Sequence, residues 1–254
     1  MAMNVRQEHF VAYIDVLGFS DLVKNSEPEL VFNYLSGLVD LVHDLNKREN
    51  FQCCIDIGSD TIVLSVPIDD VPDDSTGKLM KFIKYINRLQ LRNIVELECL
   101  PLRGGITAGQ FYTNGKNVLF GKAYIEAHDL EKAANFPRIL VDPNHMHPGK
   151  ISDILGTFNV ILAHIGLSPQ YLDLRSLDIR IEDERQHCNY LSCLVPAAVL
   201  DEQWDYEKID ILMRHKNFIK KKLSEGEAMA KYEWIKDYHN WFCSGYSELA
   251  NYSI

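Results

Sequence analysis

Two aspartates of the sequence lie in surroundings that suggest a metal-binding site. Asp15 interrupts the apolar run FVAYIDVLGFSDLV (residues 10–23), and Asp60 ends the turn Gly58-Ser59-Asp60 between two segments rich in β-formers. Two carboxylates that lie close together repel each other unless they share a proton or a cation. Hard divalent ions such as Mg²⁺ and Mn²⁺ prefer carboxylate and carbonyl oxygens. A fold that brings these aspartates together could therefore hold such ions.

The residues that follow Asp15 could bind an anion beside the metal. Leu17, Gly18, Phe19 and Ser20 lead from a predicted strand toward a helix, and the glycine lets consecutive backbone amides point at one place. A metal site beside such a phosphate nest suggests a nucleoside triphosphate. An aspartate at a strand end and a Gly-Ser-Asp turn are each common structural features, so the prediction depends on their joint placement.

The predicted elements would bring the two aspartates to one place. Residues 10–17 are apolar on both faces, which is typical of a strand in the middle of a covered sheet. A helix is predicted over 28–47, and the segments 51–57 and 61–66 are predicted to form a hairpin. A right-handed crossover lays this hairpin beside the first strand, so the turn can reach the end of that strand.

The next part of the chain continues the alternation of strands and helices. Apolar residues at helical spacing predict a second helix over 79–89, and a hairpin is predicted from 102–112 and 118–120. A helix over 123–134 and a short strand over 138–141 follow. The resulting order, β-α-β-β-α-β-β-α-β, predicts an α+β fold.

The chain beyond residue 147 is predicted to be an extension of the first domain. We place a catalytic domain at residues 1–147 and a C-terminal α/β extension at 148–254, because the second part lacks an independent set of strands. Within it, residues 179–195 could form a hairpin, and residues 206–250 are expected to be largely helical.

Composition narrows the classes of partner. The net charge of −10 argues against a dedicated nucleic-acid-binding protein, which would present a basic face to phosphates. No apolar run approaches the roughly 20 residues that cross a bilayer, and the start MAMNVRQEHF lacks the pattern of a secretory signal. We therefore expect a soluble, cytoplasmic protein that binds neither nucleic acid nor membrane.

Four segments together resemble the catalytic domain of class III nucleotide cyclases. FVAYIDVLGFSDLV is similar to the first metal-binding strand of that family, IDIGSDTIVLS to its metal hairpin, LRGGITAGQF to the following strand, and VLFGKAYIEAHDLEKAA to its last strand-turn-helix. The resemblance covers residues 8–142 and implies a ferredoxin-like β-α-β-β-α-β core. It also implies that Asp15, Asp60 and the Val16 carbonyl bind two Mn²⁺ or Mg²⁺ ions, and that residues 17–20 wrap the triphosphate.

The positions that set purine specificity in this family differ in this chain. Asp56 stands where purine cyclases have a lysine that reads the base, and Val118 stands in place of its acidic partner. The asparagine and arginine that stabilise the transition state correspond to Ile125 and Asp129. Either the domain binds nucleotide without turnover, or it uses another base and another cation. Both metal aspartates are present, which favours the second explanation.

The segments YIDVLGFS, GSDTIVLS, LRGGIT and KYEWIKDYHNW together resemble the pyrimidine cyclases of the bacterial Pycsar anti-phage systems. The resemblance implies conversion of UTP or CTP to a 3′,5′-cyclic monophosphate, which then activates a separate effector protein without direct binding between the two proteins. We favour UTP and keep a cytidylate cyclase as the alternative. The family also implies a homodimer with two composite sites.

Three further residues are candidates at this site. Arg103 could supply the cation that position 129 lacks, although an arginine at the start of a strand is more often a surface ion-pair partner. Lys122 is a similar candidate for binding substrate. Phe51 could cover the base or belong to the core. The rival hypotheses are a nucleotide-binding regulator, a structural interaction domain, and an ordinary adenylate or guanylate cyclase.

Overall fold

The structure is a computed structural model that describes residues 8–68, 75–98, 100–114, 118–144, 178–195, 204–226 and 229–254. The strands are β1 (Glu8–Val16), β2 (Cys54–Gly58), β3 (Thr61–Pro67), β4 (Leu102–Gln110), β5 (Tyr112–Thr113), β6 (Leu119–Phe120), β7 (Ile139–Val141), β8 (Ile179–Glu182) and β9 (Arg185–Cys188). The helices are α1 (Phe19–Asn25), α2 (Pro28–Glu49), α3 (Ser75–Glu96), α4 (Lys122–Ala133), α5 (Tyr206–Glu225) and α6 (Met229–Cys243), with 3-10 turns at Tyr190–Leu194 and Ser247–Tyr252.

Seven of these strands form one sheet in the order β2-β3-β1-β4-β7-β9-β8. β1 lies in its interior, antiparallel to both β3 and β4, and β4 pairs with β7 in parallel. The first four strands are therefore arranged β2-β3-β1-β4, the antiparallel order of a ferredoxin-like core. The predicted α+β fold with a β-α-β-β-α-β core is confirmed.

Helices cover the two faces of this sheet unequally. One face of β1, through Phe10, Ala12, Ile14 and Val16, joins a large core that includes buried residues of α2 and α3. The opposite face, through Val11, packs with buried alanines of α4. Because side chains alternate along a strand, Asp15 lies on the α4 face.

The predicted start of β2 is too early. The backbone of Cys53 is held by the side chain of Asn46 on α2, whose amide nitrogen donates to the Cys53 carbonyl at 2.9 Å and whose oxygen accepts from the Cys53 N–H at 3.1 Å. These bonds replace strand pairing, so the strand begins only at Cys54.

The C-terminal part extends the sheet and forms a second apolar cluster. β9 pairs with β7, which carries the sheet across the predicted boundary between residues 147 and 148. Buried residues of α5 and α6 pack with Leu91, Ile94 and Val95 at the end of α3. The rings of Trp234, Tyr238 and their neighbours stack along α6, with Trp234 also stacked on Phe136. The boundary itself lies outside the described residues.

No helix in the described ranges is long and apolar enough to cross a membrane.

Candidate active site

Strand pairing brings Asp15 and Asp60 to the same edge of the sheet. Asp15 is opposite Thr61 of β3 on one side and opposite Arg103 of β4 on the other. The Val16 N–H donates a hydrogen bond to the Asp60 carbonyl at 2.9 Å, which fixes the hairpin turn at the end of β1. Two residues separated by 45 positions in sequence are therefore neighbours, as the crossover predicted.

The surroundings of Asp15 disfavour its charge. Burial raises the pKa of the Asp15 carboxyl, the Arg103 guanidinium lowers it, and the carboxylates of Glu131 and Asp60 raise it further, so that the net shift is upward. Lys231 of α6 contributes a smaller lowering. Three carboxylates and one guanidinium thus share a partly buried region with an excess of negative charge, which a cation would relieve.

Arg103 connects two of these carboxylates. One terminal nitrogen of its guanidinium lies 3.3 Å from Asp15 Oδ2 and also forms an ion pair with Glu131 Oε1. The side chain of Glu131 is only 6% exposed, against 22% for Asp15. Arg103 is therefore an ion-pair partner, as the structural alternative expected, but its partners are Asp15 and the buried Glu131.

Glu131 reaches this position because α4 lies directly on β4. A Cβ atom at Gly105 would lie 2.5 Å from the Ala127 carbonyl oxygen and 3.0 Å from the Glu131 nitrogen, so only glycine allows this approach. Arg103 and Gly105 share the α4 face of β4. The sequence patterns did not predict Glu131. The sequence feature that indicates Glu131 is the spacing i, i+4, i+8 of Ala123, Ala127 and Glu131. This spacing marks the buried side of the helix and places a carboxylate at its end.

The donor set of Asp15 and Asp60 suits a hard divalent ion bound together with a substrate. Mg²⁺ sites commonly use one or two carboxylates and complete the shell with water and phosphate oxygens. Among the described residues, no group of three or more His, Cys, Asp or Glu side chains is arranged to hold a metal by itself. A two-carboxylate site with unbalanced negative charge fits this pattern.

The loop after Asp15 differs in part from the predicted phosphate nest. The Leu17 N–H donates to the Pro101 carbonyl at 3.0 Å and its side chain is buried, so Leu17 has no free group for a phosphate. Gly18 has a φ of 91°, which favours glycine, and caps α1. Phe19 is buried in the core, so only its backbone could reach an anion, whereas Ser20 is exposed.

The structure does not bring Phe51 or Lys122 to the aspartates. The Phe51 ring packs on Phe82 and Tyr85 of α3, with ring centroids 6.5 and 5.7 Å apart, on the sheet face opposite Asp15. This corrects the idea that Phe51 covers a base, and supports the alternative of a core residue. Lys122 is exposed at the first residue of α4 and pairs with Glu126. It lies about 14 Å along the helix from Glu131, at 1.5 Å per residue.

Aromatic and polar side chains extend the site across the α4 face. Tyr13, two residues before Asp15, has its hydroxyl 3.2 Å from Thr61 Oγ1. Its ring lies 4.8 Å from that of His128 and 5.5 Å from that of Tyr124. Asp56 lies on the same face, because the flanking Ile55 and Ile57 pack into the opposite core, and burial raises the pKa of its carboxyl. The sequence patterns do not connect Tyr13 with the site, although Tyr13 lies two residues before Asp15 in the same strand.

Neither a family model nor a curated protein sequence matches the chain. Three solved structures with similar backbones are the adenylyl cyclase CyaB from P. aeruginosa (16% identity, TM-score 0.46, 55% of this chain and 79% of that one), the guanylyl cyclase Cya2 (14%, 0.45, 57% and 79%) and the monomeric guanylyl cyclase domain of the RhoGC fusion protein from the aquatic fungus Blastocladiella emersonii (15%, 0.45, 56% and 84%). Each similarity concerns little more than half of this chain.

Proposed function

We propose that the protein is a nucleotide cyclase that converts a pyrimidine nucleoside triphosphate, preferentially UTP, to the 3′,5′-cyclic monophosphate and pyrophosphate. The observation that carries the proposal is the meeting of Asp15 and Asp60 at the end of β1, with Val16 hydrogen-bonded to the Asp60 backbone. The upward shift of the Asp15 pKa supports a cation at this place.

In the proposed reaction, the ribose 3′-hydroxyl loses its proton to solvent and its oxygen forms a bond to the α-phosphorus. The bond between the α-phosphorus and the oxygen that bridges to the β-phosphate breaks, and pyrophosphate leaves with that oxygen. Asp15 and Asp60 would hold two Mg²⁺ or Mn²⁺ ions together with the Val16 carbonyl. When bound, such ions lower the pKa of the attacking hydroxyl and neutralise the leaving phosphates. Arg103, beside Asp15, would stabilise the charge that develops on the α-phosphate. The Gly18 to Ser20 backbone would face the distal phosphates.

The proposed preference for pyrimidines rests on the Asp56 position and on the motif resemblance. An ionised carboxylate there only accepts hydrogen bonds, so it cannot replace the lysine as a donor to the base. Tyr13 and Tyr124 add bulk to the same face, which favours a smaller base. We do not assign the choice between UTP and CTP to a single residue, and cytidylate cyclase remains the alternative.

The proposed active form is a homodimer with composite sites. Phe120 and Ile125, at the end of β6 and the start of α4, are 48% and 60% exposed. Apolar side chains on this face are compatible with a second copy that completes the site. The cyclic product would act on a separate effector, inside the cytoplasm.

The test is to incubate the purified protein with each of the four ribonucleoside triphosphates and Mn²⁺, and to identify the products by mass. We expect cyclic UMP, and a loss of at least about a hundredfold in rate for Asp60→Asn, since removing one metal ligand removes most charge stabilisation. Asp183→Asn is the matched control, because Asp183 is a 70% exposed aspartate in another hairpin turn. Cyclic AMP or GMP would defeat the pyrimidine assignment. Nucleotide binding without any cyclic product would identify a regulator instead.

A further inference from the structure

We propose that Glu131 is a positioning residue that retains Arg103 at the site when a divalent cation takes over Asp15. This inference rests on the proposed function, in which Asp15 binds metal. It gives a role to a buried residue of α4 that is not one of the predicted metal or phosphate ligands.

Arg103 shares one guanidinium nitrogen between two carboxylates. The terminal nitrogen of Arg103 contacts both Asp15 and Glu131. A divalent ion on Asp15 repels the guanidinium, because like charges at this separation disfavour each other in a partly buried site. Arg103 must therefore give up one of its two partners when metal binds.

The difference in burial decides which partner is given up. Glu131 is 6% exposed and Asp15 is 22% exposed. A buried carboxylate that loses its paired cation is strongly destabilised, whereas the more exposed Asp15 gains the metal as a new partner. Arg103 is therefore expected to leave Asp15 and keep Glu131.

The arginine has a donor available for this change. Its Nε is buried and has no hydrogen-bond partner among the described residues. A turn of the guanidinium toward Glu131 would let Nε and the terminal nitrogen face the same carboxylate, which is the favoured two-point geometry of arginine and carboxylate.

The backbone of Glu131 is fixed against the sheet, so Glu131 stays in place when Arg103 leaves Asp15. The absence of a side chain at Gly105 places the Glu131 nitrogen against β4, so the carboxylate is anchored at a set distance from the strand. Arg103 would thereby be held by Glu131 and would not compete with a metal ion for Asp15.

The experiment measures Mn²⁺ binding by calorimetry without nucleotide, so that it is independent of turnover. Glu131→Gln is expected to weaken Mn²⁺ binding about tenfold, or 1.4 kcal/mol, because Arg103 then has only Asp15 as its partner. Arg103→Gln is expected to strengthen binding several-fold. In the Arg103→Gln background, Glu131→Gln is expected to change the affinity less than about twofold. Glu126→Gln, on the same helix, is the control for loss of one charge and is expected to leave the affinity unchanged.

Equal weakening by Glu131→Gln in both backgrounds would overturn the inference, since it would show simple long-range electrostatics. A fall in melting temperature with unchanged Mn²⁺ affinity would also overturn it, because that is the result of a purely structural role. If Glu131→Gln does not fold, Glu131→Asp replaces it, since the shorter side chain keeps the charge. Weaker Mn²⁺ binding is then expected only where Arg103 is present, and equal weakening in both backgrounds would overturn the inference. Asp15→Asn must abolish the measured binding, and persistence of binding would overturn the inference. Failure to find a cyclic product while these Mn²⁺ results hold would defeat only the proposed cyclase activity.

Discussion

Gly105 is the point at which α4 touches the sheet, and Gly105→Ala tests whether this contact builds the site. The added methyl group would lie 2.5 Å from the Ala127 carbonyl oxygen and would also collide with the Leu130 Cβ. The carbonyl belongs to the helix backbone and the position of a Cβ is fixed by the backbone, so no side-chain rotation relieves the collision. The helix must move away from β4, and Glu131 must move with it.

The expected cost follows from this collision. Overpacking by one methyl group against atoms that cannot rotate away costs about 2 kcal/mol or more of the free energy of unfolding. For a chain of this size, that corresponds to a fall of roughly 4–8 °C in melting temperature. Because Arg103 is held by Glu131, the shift of α4 is also expected to lower the rate of the proposed cyclisation at temperatures where the variant is folded.

Urea denaturation followed by circular dichroism measures the stability, and product formation at saturating Mn²⁺ measures the rate. Gly58→Ala is the matched control for stability, because a Cβ at Gly58 would have no atom within 4 Å. A Gly105→Ala protein as stable as the parent would refute the close approach of α4. An equal loss of stability in Gly58→Ala would show that a collision is not the cause.

Two further predictions concern stability. Burial lowers the pKa of His187 to about 3, whereas the unfolded imidazole binds a proton near 6.5, so stability is lost as the pH falls through this window. His187 is expected to lower the free energy of unfolding by about 2 kcal/mol between pH 7 and pH 5. In urea titrations at the two pH values, His187→Gln should lose correspondingly less stability than the parent. An equal loss in both proteins would contradict the prediction. Phe51→Leu should cost about 1 kcal/mol by loss of core packing and leave the KM for nucleotide unchanged in steady-state kinetics, whereas a raised KM would return Phe51 to the substrate site.

The pairing of Asp15 with Asp60 could be predicted from sequence because it depends on topology alone. One crossover and one tight turn determine which strand ends meet, and both leave clear signals in the chain. The sequence also predicts the bounds of α2 and α4 to within two residues at each end.

The remaining details depend on contacts that are distant in sequence. The Leu17 amide is used by Pro101, a partner 84 positions away that no local pattern indicates. Asn46 binds the backbone of Cys53, so β2 begins only at Cys54 and Phe51 lies before the strand. Strand alternation alone leaves such a residue on either face.

The position of Asp15 in an apolar strand is explained by what surrounds its carboxylate. Arg103 partly offsets the charge, yet the pKa of Asp15 stays raised because burial outweighs the arginine and because Asp60 and Glu131 add negative charge. A single guanidinium shared between two carboxylates cannot balance three of them. In the proposed site, a divalent ion would supply the missing positive charge, and Glu131 would keep the displaced Arg103 close by. The negative charge that is unfavourable at Asp15 without metal would therefore, in this proposal, favour the binding of a divalent cation.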